Sequence, residues 1–380
     1  MKFFKFSLLA FLPALVLGQN LTSLLSNTPQ LSSLNALLSN YPSVIKTFSN
    51  LTNVTILAPS NQALGNYTSN SSTALSVLSS TNQTISDLLT YHILQGKFYA
   101  SNFSATPKFL PTYLNDSSLS NVTGGQVVEG IVLKNKTYIF SGLLANSSVT
   151  QANLNFTGGV VHIIDKVLTI PANISYSAAV TNLTSVAGAL NAGNDTNTVD
   201  QLHNVTMFAP INSAFQAIGS AVRNLSTKAL NNILDYHIVN GTIAYSTDLC
   251  NGTRLNALNN ETLSIRVQNG SIFVNSAKIV IPDLLVANGV VHIVDNVLNP
   301  NNTLATPIPT ASSQKVAFQS ASAASSIPFT SGITVTPTAF GTGAGFGSMV
   351  TTCSPSRQAS SKHAPATTST HSTTSAKTTH

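Results

Sequence analysis

The sequence predicts an α+β fold built twice in succession. Three segments recur in the same order. Val54-Thr-Ile-Leu-Ala-Pro-Ser-Asn-Gln-Ala-Leu64 returns 151 residues later as Val205-Thr-Met-Phe-Ala-Pro-Ile-Asn-Ser-Ala-Phe215. Leu88-Leu-Thr-Tyr-His-Ile-Leu94 returns after 145 residues as Ile233-Leu-Asp-Tyr-His-Ile-Val239. Gly158-Gly-Val-Val-His-Ile-Ile-Asp-Lys-Val-Leu168 returns after 130 as Asn288-Gly-Val-Val-His-Ile-Val-Asp-Asn-Val-Leu298. The shrinking offset places losses of about six and then fifteen residues in surface loops, where length changes cost little. Within each copy helical patterning comes first and strand patterning later, the order of an α+β unit.

Taken along the chain, residues 1–18 read as a secretory leader: Lys2 and Lys5, an apolar run from Leu8 to Leu17, then Gly18. Ten apolar residues are half of what a membrane-spanning helix needs, so no span is expected in the mature chain. Val54 to Ala58 and Val205 to Ala209 are apolar and β-branched, and Pro59 or Pro210 stops them, as in a buried strand. Asn61 and Asn212 follow in short polar stretches suited to starting a helix. Ile85, Leu88, Leu89 and His92 fall at helical spacing, and Leu230, Ile233, Leu234 and His237 repeat that stripe. Lys136–Phe140 and Ser271–Asn275 read as strands. Val160 to Ile164 begins at a Gly turn and is apolar on both faces, as a fully buried strand requires.

From about Thr303 the composition shifts to Ser, Thr, Ala and Pro, too poor in large apolar residues to bury a core. The expected organisation is a leader over 1–18, a first unit over 19–170, a second over 171–303 and a disordered Ser/Thr-rich tail over 304–380.

The Thr-x-x-Ala-Pro-x-Asn segment (Thr55, Pro59, Asn61; Thr206, Pro210, Asn212) resembles the first conserved box of the fasciclin (FAS1) domain. Tyr91-His92 and Tyr236-His237 resemble its Tyr-His motif. Gly-Val-Val-His-x-x-Asp-x-Val-Leu, with His162 and Asp165 or His292 and Asp295, resembles its second box. Three boxes in order, twice, cover roughly residues 20 to 300. The resemblance implies a wedge of two β-sheets with a set of helices in each unit, of the kind found in extracellular adhesion and matrix proteins. The first copy departs from it at Leu64, where the second has the more usual Phe215. The leader, sequons and tail resemble the fungal members in particular. Such relatives often carry a C-terminal lipid-anchor signal, which needs about 10 to 20 final apolar residues. This sequence ends Thr-Ser-Ala-Lys-Thr-Thr-His, so an anchor is expected only if the native C-terminus differs.

Composition narrows the function. Charged residues are 7% of the chain, against about 25% in ordinary soluble domains. That excludes a coiled coil or a charge-driven disordered chain. Of the 17 Lys and Arg, six lie in the leader and after residue 303, leaving eleven against eleven carboxylates in the folded part. The basic excess is terminal, and no nucleic-acid partner is expected. Solubility falls instead to glycans: about 22 Asn-x-Ser/Thr sequons run from Asn20 to Asn301, with Asn53, Asn82, Asn102, Asn121, Asn204, Asn224 and Asn251 as candidates. Cys250 and Cys353 could pair in an oxidising compartment, tying the tail to a unit, or stay apart.

Little catalytic chemistry is visible. His-x-x-Asp places its two side chains on opposite faces of a strand, so His162 with Asp165, or His292 with Asp295, should not share a site. His92 and His237, on apolar helix faces, should be structural and internally hydrogen-bonded. No nucleophile elbow, zinc motif or glycosidase pair stands out, and no metal or cofactor is expected. Gly341 to Gly347 alternates glycine outside any strand–helix context and reads as linker. Pro282-Asp283-Leu284 resembles the Pro-Asp-Ile segment that some animal fasciclin domains are thought to present to integrins. The favoured reading is that Asp283 is an ordinary loop or turn residue after Pro282. The expectation is a secreted, non-catalytic glycoprotein of the cell surface or wall that binds protein or polysaccharide, with weak self-association included. The alternative is a structural wall component whose glycans make the contacts.

Overall fold

The computed structural model describes residues 18–70 and 82–333. The leader to residue 17, the Gly341–Gly347 run and the tail beyond 333 lie outside the described residues. The first unit opens with helices Leu21–Ser26, Ser32–Ser39 and Pro42–Ser49. β1 (Val54–Pro59), helices Asn61–Asn70 and Asn82–Tyr91, and β2 (Ile93–Gln95) follow. β3 (Lys108–Pro111), β4 (Val127–Leu133), β5 (Lys136–Phe140), β6 (Asn146–Phe156) and β7 (Gly159–Ile164) complete it. The strands join in the order β2-β1-β7-β6-β5-β4-β3.

Among the described residues of the first unit, only β1 and β7 pair in parallel. Their residues are buried throughout, as the two-faced apolar pattern predicts. Val54, Ile56, Ala58, Val161 and Ile163 face the helical layer, while Leu57 and Ile164 face a second core with Tyr91, Phe103, Val128 and Ile139. β6 divides the strands into two sheets. Its start pairs with β5, the remainder with β7, and two register shifts separate the parts. A bridge from Leu94 to Thr112 ties the β2 edge back toward β3, so the two sheets converge as a wedge around the second core.

The second unit repeats this plan. Helices Ile174–Val180, Thr184–Ala192 and Thr196–Gln201 precede β8 (Val205–Pro210). Helices Asn212–Ala217, Gly219–Val222 and Thr227–Asp235 lead to β9 (Ile238–Val239). β10 (Arg254–Asn256), β11 (Thr262–Gln268), β12 (Ser271–Val274), β13 (Ala277–Val286) and β14 (Gly289–Val294) close the sheet, with β8 and β14 parallel. The helix stripe runs past the helix end: His92 lies one residue beyond its helix and His237 two residues beyond its own, where the chain turns into β2 or β9.

The units touch directly. Phe109 stacks on Tyr245 with ring centroids 3.9 Å apart. Gln126 donates to the Val286 carbonyl at 3.1 Å, and the Asn121 N–H donates to the Ala287 carbonyl at 2.8 Å. Leu144 packs against the helical core of the second unit.

The segment after Thr303 differs in part from its compositional reading. Residues 304–333 form no helix or strand, yet they lie along the second unit. Val316, Phe318 and Phe329 pack on its core, and Ala317 is 3% exposed. Phe329 meets Phe215 edge-to-face at 5.9 Å. Ala324 exchanges hydrogen bonds with Gln216, and Ser185 donates to the Pro328 carbonyl. A Cβ on Gly188 would lie 1.6 Å from the Phe329 carbonyl oxygen, so glycine admits this strap. The few apolar side chains in the segment suffice because an existing groove receives them.

The glycine opening the second box has a comparable reason. A Cβ on Gly159 or Gly289 would come within 1.9 Å of the Val54 or Val205 carbonyl oxygen on the parallel neighbour. Gly289→Ala must therefore push β14 from β8 and should destabilise the protein by about 1–3 kcal/mol. Urea unfolding of wild type and variant checks this; equal midpoints would refute the close-approach explanation.

Candidate functional site

The residues that recur in both copies are side chains that tie segments together. Thr55 donates to the Gly96 carbonyl and accepts from the Phe98 N–H, both at 2.8 Å. Thr206 does the same with Thr242 and Ala244. Asn61 does more than start its own helix. Its amide donates to the Pro29 carbonyl and Ser32 hydroxyl, and its carbonyl accepts from Ser33 N–H at the start of another helix. Asn212 repeats this bracket with Asn182, Thr184 and Ser185. Pro59 and Pro210 are the final residues of β1 and β8.

The four histidines are fully occupied. His92 Nδ1 lies 2.7 Å from the Leu88 carbonyl, and its Nε2 accepts from Leu168 N–H at 3.0 Å. His237 makes the same pair with Ile233 and Leu298. An acceptor Nε2 assigns the proton to Nδ1, so the ring is neutral. Burial pushes both imidazoles down to about 4, and the carbonyl hydrogen bond only partly opposes it. His162 and His292 use the other tautomer. Their Nε2 lies against the Phe98 or Ala244 carbonyl, and their Nδ1 accepts from Asn153 or Asp283 N–H. Burial lowers both of these as well.

Asp165 and Asp295 do not share bonds with the histidines three residues before them. Burial pushes the Asp165 carboxyl up, but hydrogen bonds from Ser148 and Ser147, with Lys166 nearby, hold it below its ordinary value. Asp295 accepts from Lys278 N–H at 2.7 Å, and burial leaves its carboxyl raised. Each clamps the neighbouring strand just beyond the last parallel pair. Tyr91 donates to the Val127 carbonyl, and Tyr236 to the Thr262 carbonyl.

The Pro282-Asp283-Leu284 segment is neither a turn nor an exposed loop. It is a bulge inside β13, where the register shifts between Ile281 and Leu284. Asp283 has φ +60° and is 3% exposed, and Leu284 is fully buried. In this fold the segment is closed to a receptor, because the first unit covers the sheet that carries it. Its counterpart in the first copy is Asn153, with φ +63° in the β6 bulge. The 130-residue offset of the second box already aligns Asn153 with Asp283. That offset was the signal for a residue the motif reading missed.

The sequons divide by geometry. Asn53, Asn102, Asn224 and Asn251 are exposed, and Asn82 opens its helix. Asn121 is half-buried at the junction of the units. Asn204 is committed there: its carbonyl accepts from Thr123 N–H and its amide donates to the Thr123 hydroxyl, both at 2.8 Å. Cys250 takes part in a disulfide, and Cys353 lies outside the described residues. A polar cleft of about 340 Å³ opens between the units, lined by residues including Ser118, Asn121, Asn173, Asp200 and Gln201. Among the described residues, no group of three or more His, Cys, Asp or Glu is placed to hold a metal, and no helix is long and apolar enough to cross a membrane.

Two expectations follow. A folded-state value near 4 against an ordinary 6.5 means that His92 and His237 stabilise the fold above pH 6.5, and that this contribution, about 3 kcal/mol each, is lost as pH falls toward 4. The advantage of wild type over His92→Leu in urea unfolding should shrink across that window; a constant difference would show that the ring is not held neutral. In protein made through a secretory route, peptide mapping after enzymatic N-glycan release should find Asn53, Asn224 and Asn251 occupied. Asn204 should be bare, and full occupancy there would contradict its bonds to Thr123.

Comparison with known proteins agrees with this architecture. The fasciclin domain family matches the chain twice, over residues 29–171 and 181–300. A fasciclin-like arabinogalactan protein of Arthroderma benhamiae is 35% identical over 309 residues, covering 81% of this chain and 73% of that protein. The fasciclin-like arabinogalactan protein elcF of Phaeosphaeria nodorum is 30% identical, covering 76% and 90%. Human periostin is 29% identical over 65% of this chain and 28% of its own length. Among solved structures, a FAS1 domain pair from the insect cell adhesion molecule Fasciclin I is similar at 22% identity and a TM-score of 0.35, covering 71% of this chain and 97% of that one.

Proposed function

The chain belongs to the fasciclin domain family, and on that premise we propose that it is a non-catalytic extracellular glycoprotein of the cell surface or wall. It binds surface or wall components, protein or polysaccharide, through the outer faces of its two units. One observation carries this reading. All four motif histidines have both ring nitrogens engaged inside the fold, so the repeated motif residues are spent on architecture and recognition is left to the surface.

Direct contact between the units supports a bivalent mechanism. Two weak contacts presented in a fixed mutual orientation reinforce each other far beyond either alone. Severed units are a poor control, because separation uncovers Phe109, Leu144 and Tyr245 and creates new adhesive surface. The second reading, in which glycans make the contacts, draws support from the exposed sequons and from relatives named as arabinogalactan proteins.

Beads coated with the intact chain, tested on cells and on purified wall polymers before and after N-glycan removal, separate the two. Adhesion that persists on folded, deglycosylated protein is the expected result. Adhesion that vanishes while circular dichroism is unchanged moves recognition to the sugars.

A further inference from the structure

Strand alternation puts Glu129 on the face of β4 opposite Val128, outside the wedge of the first unit. That face should meet water, yet Glu129 is 2% exposed, because the second unit covers it. Phe109 and Phe140 flank it on β3 and β5, and Phe109 stacks on Tyr245. From the second unit comes Asp283, near enough to add to the burial that raises the Glu129 carboxyl well above its ordinary value. Two buried carboxyl oxygens here, Glu129 Oε1 and Asp283 Oδ2, have no hydrogen-bond partner of ordinary geometry, while the Ser246 hydroxyl lies near enough to Asp283 to pull its carboxyl down against the burial that raises it.

The other ionisable groups facing this pair are accounted for. His292 Nδ1 lies 3.9 Å from Asp283 Oδ1 and accepts from Asp283 N–H, so the ring is neutral. The Tyr245 and Tyr91 hydroxyls are both raised by burial and remain protonated. Asp248 accepts from Tyr245 N–H. Lys108, opposite Gly130 on β3, is turned to the Asn102 carbonyl. Among the described residues, His292 is the one basic side chain within 4 Å of either carboxyl.

The first copy shows that the fold does not need an acid here. Asn153 occupies the equivalent bulge, donates its N–H to His162 and accepts from Ala100 N–H, as Asp283 does from Ser246 N–H. A neutral amide performs the structural task. The second copy places a carboxyl at that position, at the junction that also buries Glu129.

We propose that Glu129 and Asp283 hold one proton between them, forming a clasp between the two units that is secure in acid and loosens as pH rises. Two carboxylates buried together without a cation cannot both ionise at tolerable cost. One shared proton gives both orphaned oxygens a partner and leaves one negative charge, which Ser246 N–H already binds. Folded-state affinity for that proton exceeds the unfolded-state value. The stabilisation is therefore complete below about pH 4.5 and is lost as pH rises above it. This slope opposes that of the histidines, so it must be read as a difference between variants.

The test compares thermal unfolding of the full chain with Glu129→Gln and Asp283→Asn between about pH 4.5 and 8, in EDTA and in added calcium. Asp283→Asn copies the first unit and should fold. Wild type should lose a few degrees of Tm per pH unit relative to either variant, identically in EDTA and calcium. X-ray scattering should show it expanding at the alkaline end while the variants keep their dimensions. Infrared difference spectra of wild type alone should show a protonated carboxyl disappearing over the same range, an effect Asp283→Asn removes. Parallel pH profiles with no such band would overturn the proposal. So would a stabilisation that calcium restores and EDTA abolishes, which would assign the pair to a cation.

Discussion

Each unit depends on a neutral imidazole that does two jobs at once. His92 accepts from Leu168 N–H, in the chain just past the last parallel strand, while its other nitrogen meets the Leu88 carbonyl on the helix end. The partners are 76 residues apart, and the bond closes the crossover that a parallel pair of strands requires. Left alone, that buried N–H would cost about 1–3 kcal/mol. A lysine or carboxyl there would have to be neutralised far from its ordinary pKa to be buried, and an aliphatic side chain would leave both backbone groups unpaired. His237 meets the same constraint in the second unit. The remaining tertiary structure is arranged around these two fixed points.

That constraint explains what was legible in the sequence. The boxes stand out because one side chain at each position serves two distant segments, and the repeat shows the same solution twice. The strands Val54–Pro59 and Gly159–Ile164 could be read because a parallel pair covered on both faces is buried at every position and apolar at all but Thr55 and His162. Asn61 was harder: its position suits a helix start, but its task is to bracket a helix 28 residues earlier, and such a bond leaves no local pattern. Asp283 misled for a related reason. Beside a proline it has the composition of a turn, and only the pairing of β13 with β14 shows a bulge buried by another unit. The strap was hidden because Ser and Ala dominate it, while the groove that receives it is built from residues more than a hundred positions away.

A chain with 7% charged residues must satisfy its interior with neutral groups, and this one relies on amides. Asn61 and Asn212 bracket helices, Gln126 and Asn204 join the units, and Asn275 holds the Tyr236 hydroxyl. Asparagine is also the recurrent non-glycine residue in left-handed turns, at Asn53, Asn135, Asn182, Asn204 and Asn260 among others. All five of these also begin a sequon, so part of the sequon density arises from backbone geometry.

The strap sets how the molecule answers to mechanical load. With the Cys250 disulfide reduced, tension on the chain beyond residue 333 reaches the second unit first through Phe329 in its groove, then through the Ala324 and Ser322 contacts, and only afterwards through the strands. Those contacts are few and lie in sequence along the segment, so they yield one after another and lengthen the chain while β8 and β14 stay paired. Reduction of that disulfide thus makes the strap a tether that takes up a sudden pull by peeling, so that the folded units bear the force last.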